Sequence, residues 1–238
     1  MQAPTMNTPV SKCGDLAAYA ARMLGKFTNQ ATLLALGLEM TAAAAELHAA
    51  QAVYEQAVRD ILPTRVDVKY ENYVSDRRIR VTQQKAEMAD GKRGGRIAAI
   101  AFPEGSAPIT RLVGASQVQA MVDLEGRLAA AQALWPDASA EKEAIAQHRE
   151  HYDNALIARK NAGQHARNMR AARNAAKDKF IHKYVEIMSR VEAEFPKDRA
   201  TQDLFFDEVR TKSALATADT STGEEGDDEG NESETTGG

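Results

Sequence analysis

Between Pro136 and Pro196 the chain carries no proline and a single glycine, Gly163. Proline removes a backbone donor and clashes with the preceding turn, and glycine costs about 1 kcal/mol relative to alanine inside a helix. A stretch so free of both has one regular outcome, a helix approaching 57 residues over 139–195. At about 1.5 Å per residue that is roughly 85 Å if straight. Asp137 or Ser139 can cap it, and Glu141 and Glu143 stand in its first turn, where the helix dipole favours acids. A helix of this length cannot bury its own apolar stripe, so other helices must lie against it.

The rest of the chain supplies them. There are 44 alanines, and aromatic residues make up only 5%. Alanine is the best helix former, whereas strands want β-branched and aromatic side chains, so this balance fits packed helices better than a β-sandwich. Apolar or small residues recur in steps of three and four at Leu16, Ala20, Met23, Phe27, Ala31, Leu34, Leu38, Ala42, Ala45, Ala49, Val53 and Ala57. That period predicts a helix over 15–62, with Asp15 as N-cap and with Gly25, Thr28 and Asn29 as the place where it kinks or divides. Thr64 follows Pro63 and precedes Asp67 by three residues, an N-cap arrangement for a second helix whose stripe runs through Tyr70, Tyr73, Val74, Val81 and Met88.

Residues 91–115 form the least helical part of the body. Five glycines, Pro103 and Pro108 punctuate two short apolar runs there, leaving a crossover, a short helix or a small hairpin open. Ser116 and Gln119 then read as a capping box for a third helix through Met121, Leu124, Leu128 and Leu134, ending at Trp135 and Pro136. The expected fold is all-α: an elongated antiparallel helical bundle with two very long helices and an irregular Gly/Pro-containing crossover. Residues 1–12 should be frayed, 13–212 form the bundle domain, and 213–238 form a disordered acidic tail.

The net charge of −4 conceals an asymmetry. Eight acids and no basic residue follow Lys212, so residues 1–212 carry +4. Within that basic body, Arg159, Lys160, Arg167, Arg170, Arg173, Lys177, Lys179 and Lys183 face a single acid of the same stretch, Asp178. At 100° per residue, Arg159, Arg167, Arg170, Arg173 and Lys177 share about a third of the helix circumference. Such a stripe can follow the phosphates of a nucleic acid, with the tail as a tethered competitor. The plainer reading is a solvated face balanced by acids on a neighbouring helix, such as Glu39, Glu46 and Glu55.

Other candidates are weaker. His148 and His151 share a helix face beside Glu150 and Asp153, yet neither the His-Glu-x-x-His nor the Glu-x-x-His pattern is present, so no metal is expected. The basic, glycine-rich loop 91–96 can cradle a phosphate but lacks the Walker order. Cys13 reads as an incidental thiol, and as the lone cysteine it excludes an internal disulfide. Leu204, Phe205, Phe206 and Val209 read either as a partner-docking cluster or as a cap folded onto the bundle. No signal peptide is evident, and the most apolar run, 33–38, is cut short by Glu39, so a cytoplasmic location away from membranes is expected. No cofactor or catalytic residue is expected. These features together point to a non-catalytic interaction or assembly protein, self-associating through alanine-rich faces, with nucleic-acid binding as the alternative.

Overall fold

The computed structural model describes residues 2–208, and among them every regular element is a helix. In order these are α1 (Val10–Leu24), α2 (Ala31–Arg59), α3 (Ile61–Ala89), α4 (Arg96–Ala101), α5 (Ala107–Thr110), α6 (Ala115–Ala131), α7 (Ala138–Glu194) and α8 (Arg199–Leu204). The long helix expected from the proline-free stretch is α7, at 57 residues. The acidic segment 213–238 and Val209 lie outside the described residues.

Three boundaries differ from the sequence expectation. The first helix already begins at Val10, so Asp15 lies inside α1 instead of capping it and residues 10–12 are helical, while the division at 25–30 falls where Gly25, Thr28 and Asn29 placed it. Pro63 ends nothing: it occupies the third position of α3, where amides have no intrahelical acceptor and a missing N–H costs little. Thr64 therefore lies inside the helix, its hydroxyl donating to the Ile61 carbonyl at 2.8 Å rather than capping. Ser116 is also inside its helix. Gly114 starts α6 instead, at φ 65° and ψ −144°, a conformation that glycine alone adopts without strain.

Burial along the long helices follows a seven-residue series. In α7, Ala138, Ile145, Tyr152, Ala166, Phe180 and Ile187 are buried, and Arg159 and Arg173 are the other members of the same series. In α2 and α3, Leu33, Met40, Leu47, Ser75 and Thr82 are buried and Tyr54, Ile61 and Val68 half-buried. The second series passes Asp60 without a slip, because that residue keeps right-handed helical dihedrals of φ −66° and ψ −13°.

This phase corrects the stripes read from the sequence. Leu34, Leu38, Ala42, Ala45, Ala49 and Val53 are exposed, as are Tyr70, Tyr73 and Met88. The residues that α3 buries are Ser75, Ile79, Thr82 and Ala86, two of them polar; of the expected stripes, Leu16, Ala20 and Ala57 are buried and Val74 and Val81 half-buried.

The chain divides into two compact units, 1–45 with 178–238, and 46–177. In the first, α1 buries Leu16, Ala17, Ala20 and Leu24. Gly37 lets α2 approach α1, since a Cβ there would lie 3.3 Å from the Ala21 carbonyl oxygen. Phe27, Phe195 and Phe205 stack together, with centroids 4.8 Å apart for Phe27–Phe205 and 5.6 Å for Phe195–Phe205. Glu39 receives Lys183 at 3.5 Å and Arg190 at 3.2 Å.

In the second unit, the partners of Tyr54, Ser75 and Thr82 are Arg173, His148 and Glu141. One number rises as the other falls, so α7 here runs antiparallel to α2 and α3. Residues 91–115 form the short helices α4 and α5, which bury Ile97, Ala101, Phe102 and Ile109 with Met121, Leu124 and Leu128 of α6 and Trp135 beyond it.

Glu141, 4% exposed, is the polar centre of this unit. It accepts from Thr82 Oγ1 at 2.9 Å and Lys85 Nζ at 2.6 Å, and pairs with Arg78. Burial raises its pKa, but the hydrogen bonds from Lys85 and Thr82 and the charges of Arg78 and Lys85 outweigh it and leave the net value lowered. A depressed carboxyl stabilises the fold above its unfolded value near 4.5 and loses that contribution as pH falls through the folded value. Glu141→Ala should therefore cost about 3 kcal/mol in urea unfolding at pH 7. Glu141→Gln should flatten the loss of stability between about pH 5 and 3; an unchanged acid limb would show that this carboxylate is not a source of the loss.

Candidate functional site

Two surfaces of the second unit stand out. The first is the outer side of α3, opposite its buried seam. Leu62, Val66, Tyr70 and Tyr73 are 62%, 58%, 59% and 60% exposed, spaced by four, four and three residues, and Val58 extends the row by one turn. At 100° per residue these side chains share one narrow face. Its borders differ in charge: Arg65 and Lys69 lie along one side, Asp60 and Asp67 along the other.

The second surface is the basic stretch of α7. Arg159, Lys160, Arg167 and Arg170 are exposed, and among the described residues none has a carboxylate within salt-bridge reach. Arg167 instead donates to the Gln164 side chain at 2.7 Å. The other two members of the stripe turn inward. Arg173 lies over the Tyr54 ring, 4.8 Å from its centroid, and bonds Asn174 Oδ1 at 2.7 Å. Lys177 is only 7% exposed. Of the acids named as counter-charges, Glu39 pairs with Lys183 and Arg190, and Glu55 with Arg59 at 3.5 Å. The stripe is thus two things: a packed end at 173–177 and an open end at 159–170.

Arg159 occupies a seam position, where the series calls for an apolar side chain. It lines a concavity of about 430 Å³ together with Arg65 and Lys69 of α3. Sequence reasoning singled out Arg159 but missed its two companions, because they join it only when α3 lies antiparallel to α7. A heptad count along both helices was the available signal.

The remaining candidates fall in quieter places. His148 is half-buried in the seam with its Nδ1 enclosed and without a partner, whereas His151 is exposed. Burial, then the nearby Arg78 cation, holds the His148 imidazole below its usual pKa. Among the described residues no three histidine, cysteine or acidic side chains gather as a metal group would require. Around the basic loop 91–96, Asp90 takes the amides that a phosphate would use: its carboxylate accepts from Ile97 N at 3.0 Å and Ala98 N at 2.8 Å. Gly95 admits that carboxylate because a Cβ would sit 2.3 Å from Asp90 Cγ. Cys13 is fully buried. Phe205 and Phe206 are 0% and 5% exposed, packed on Phe27 and Tyr184, so they fold back on their own unit; Leu204 remains 46% exposed.

Comparison with protein-family models, curated proteins and solved structures found no match. The reading of these surfaces therefore rests on their chemistry alone.

The division of the stripe has a measurable consequence. Arg173→Ala removes a cation–π contact and packing against Tyr54 and should cost about 1 kcal/mol of stability. Arg170→Ala should change stability by less than about 0.5 kcal/mol. Equal effects in thermal or urea unfolding would contradict the division.

Proposed function

We propose that this is a non-catalytic helical assembly protein that associates with a second copy of itself through the outer face of α3. The observation that carries this reading is the unpartnered row Val58, Leu62, Val66, Tyr70 and Tyr73. Helices of a soluble protein ordinarily keep one apolar stripe, turned toward the core. Here α3 has its seam on one side and this row on the other. Contiguous exposed apolar surface bordered by charge marks an interaction site.

The borders argue for a second copy as the occupant. When two like helices lie parallel, one border of each meets the opposite border of the other, as the flanking positions of a parallel coiled coil do. The Arg65 and Lys69 side of one copy then meets the Asp60 and Asp67 side of its partner. The seven-residue seam is itself the spacing of coiled-coil packing, and in this reading the assembly extends that packing from within one chain to between chains. A single cysteine, Cys13, which excludes an internal disulfide, fits a reducing cytoplasm.

Ala31–Ala89 is also apolar and long enough to cross a membrane by length and composition. Sedimentation and vesicle flotation distinguish the two occupants. The protein should sediment as a dimer or larger at about 50 μM. Replacing Val66 and Tyr70 together by glutamate should reduce it to the 25.9 kDa monomer while helicity is kept. A wild-type monomer at that concentration, or flotation with neutral lipid vesicles, would contradict self-association.

A second reading, polyanion binding along α7, is favoured by Arg159, Lys160, Arg167 and Arg170, which are exposed and have no carboxylate within salt-bridge reach among the described residues. In that case DNA affinity falls steeply with salt and rises on deletion of 213–238, which removes the tethered acids. DNA affinity unchanged by the deletion at low salt would remove the competitor role.

A further inference from the structure

The concavity that Arg159 shares with α3 has the composition of an anion site. Three cations line it, Arg65 and Lys69 one helical turn apart on α3 and Arg159 on α7. No acidic side chain lines it, and none of the three cations is ion-paired among the described residues. Cations brought together without a counter-charge repel one another, which the fold tolerates at a cost unless an anion is there to meet them.

Three further features point the same way. Asn72, on the same wall, has its Oδ1 enclosed and without a hydrogen-bond partner among the described residues, so it can accept from a ligand hydroxyl. Gly114 also lines the wall and opens α6, a helix of 17 residues whose N-terminal dipole favours negative charge. Its own amide is held by the hydroxyl of buried Tyr152 at 2.8 Å, which fixes the helix end at the cavity. Val68 and Leu156 give the site an apolar floor.

The decisive point is the position of Arg159. The seven-residue series that buries Ile145, Tyr152, Ala166 and Phe180 passes through Arg159, which is instead exposed and lines the concavity.

We propose that Arg65, Lys69 and Arg159 bind a phosphoryl group. Arginine presents a planar fork that matches phosphate oxygens, with lysine adding a point charge. A volume of about 430 Å³ admits a phosphate monoester with its organic substituent on the floor. The phosphoryl group can belong to a free anion, a mononucleotide or a polynucleotide continuing toward Arg167 and Arg170. Arg65 and Lys69 also border the outer α3 face, whereas Arg159 lies off it, so a substitution at Arg159 separates phosphate binding from self-association.

The test uses the full-length protein with inorganic phosphate, a nucleoside monophosphate and a mixed-sequence single-stranded DNA, titrated by calorimetry at low salt. At least one probe should bind, and Arg159→Gln should weaken it about tenfold or more while particle mass is unchanged. Binding confined to the two small probes assigns the site to a small organic phosphate. DNA bound much more tightly, and weakened by Arg170→Ala as well, assigns it to a polymer. Phosphate should raise the unfolding temperature of the wild type and should no longer stabilise Arg159→Leu. No binding of any probe at 10 mM, affinity unchanged by Arg159→Gln, or an Arg159→Leu protein that phosphate still stabilises would overturn the proposal.

Discussion

Burial that recurs every seven residues holds a helix slightly tighter than its natural repeat, so that one seam faces the same neighbour along its length. In this chain two long stretches keep such a phase, one through α2 and α3 and one through α7. The register between them decides which side chains meet in the second unit. It sets Thr82, Arg78 and Lys85 around Glu141, sets Arg173 over Tyr54, and brings Arg159 to Arg65 and Lys69. Lose that register and each of these groups is an ordinary residue on a solvated helix.

The seam is also chemically uneven, which explains what the outer faces look like. In the first unit it is apolar and aromatic, built from Leu33, Leu36, Met40, Phe180, Tyr184 and Ile187. Along α3 it carries Ser75 and Thr82, matched by Glu141 on α7. Polar seam positions stabilise less by burial and more by specific hydrogen bonds, which fix one register against its neighbours. The apolar side chains of α3 that the seam does not use stand outside, as the row from Leu62 to Tyr73.

That unevenness marks the limit of what the sequence discloses. The 57-residue helix was legible because proline and glycine are absent from it, a local property that no packing can reverse. The all-helical class followed from alanine. The faces were harder, because a 3.6-residue count through Leu34, Leu38, Ala42 and Ala45 scores as well as the true series through Leu33, Leu36 and Met40. Where both sides of a helix are apolar, periodicity alone does not choose between them. Pro63 misled for a related reason: a proline in a first turn starts a helix as readily as it ends one. Of the candidate residues, the basic stripe was visible as composition, but its division into a packed end and an open end depends on Tyr54, more than a hundred residues away. Arg65 and Lys69 carried no signal until α3 had a neighbour.

The central claim is the antiparallel register of α3 against α7, and short-range cross-linking tests it most directly. In a Cys13→Ser background, cysteines at 75 and 148 should be joined within one chain by a short bismaleimide, because the Ser75 hydroxyl lies 3.5 Å from the His148 carbonyl. Cysteines at 75 and 170 should not be joined. A cross-link in the second pair, or none in the first while the protein remains helical, would contradict the register and the surfaces built on it.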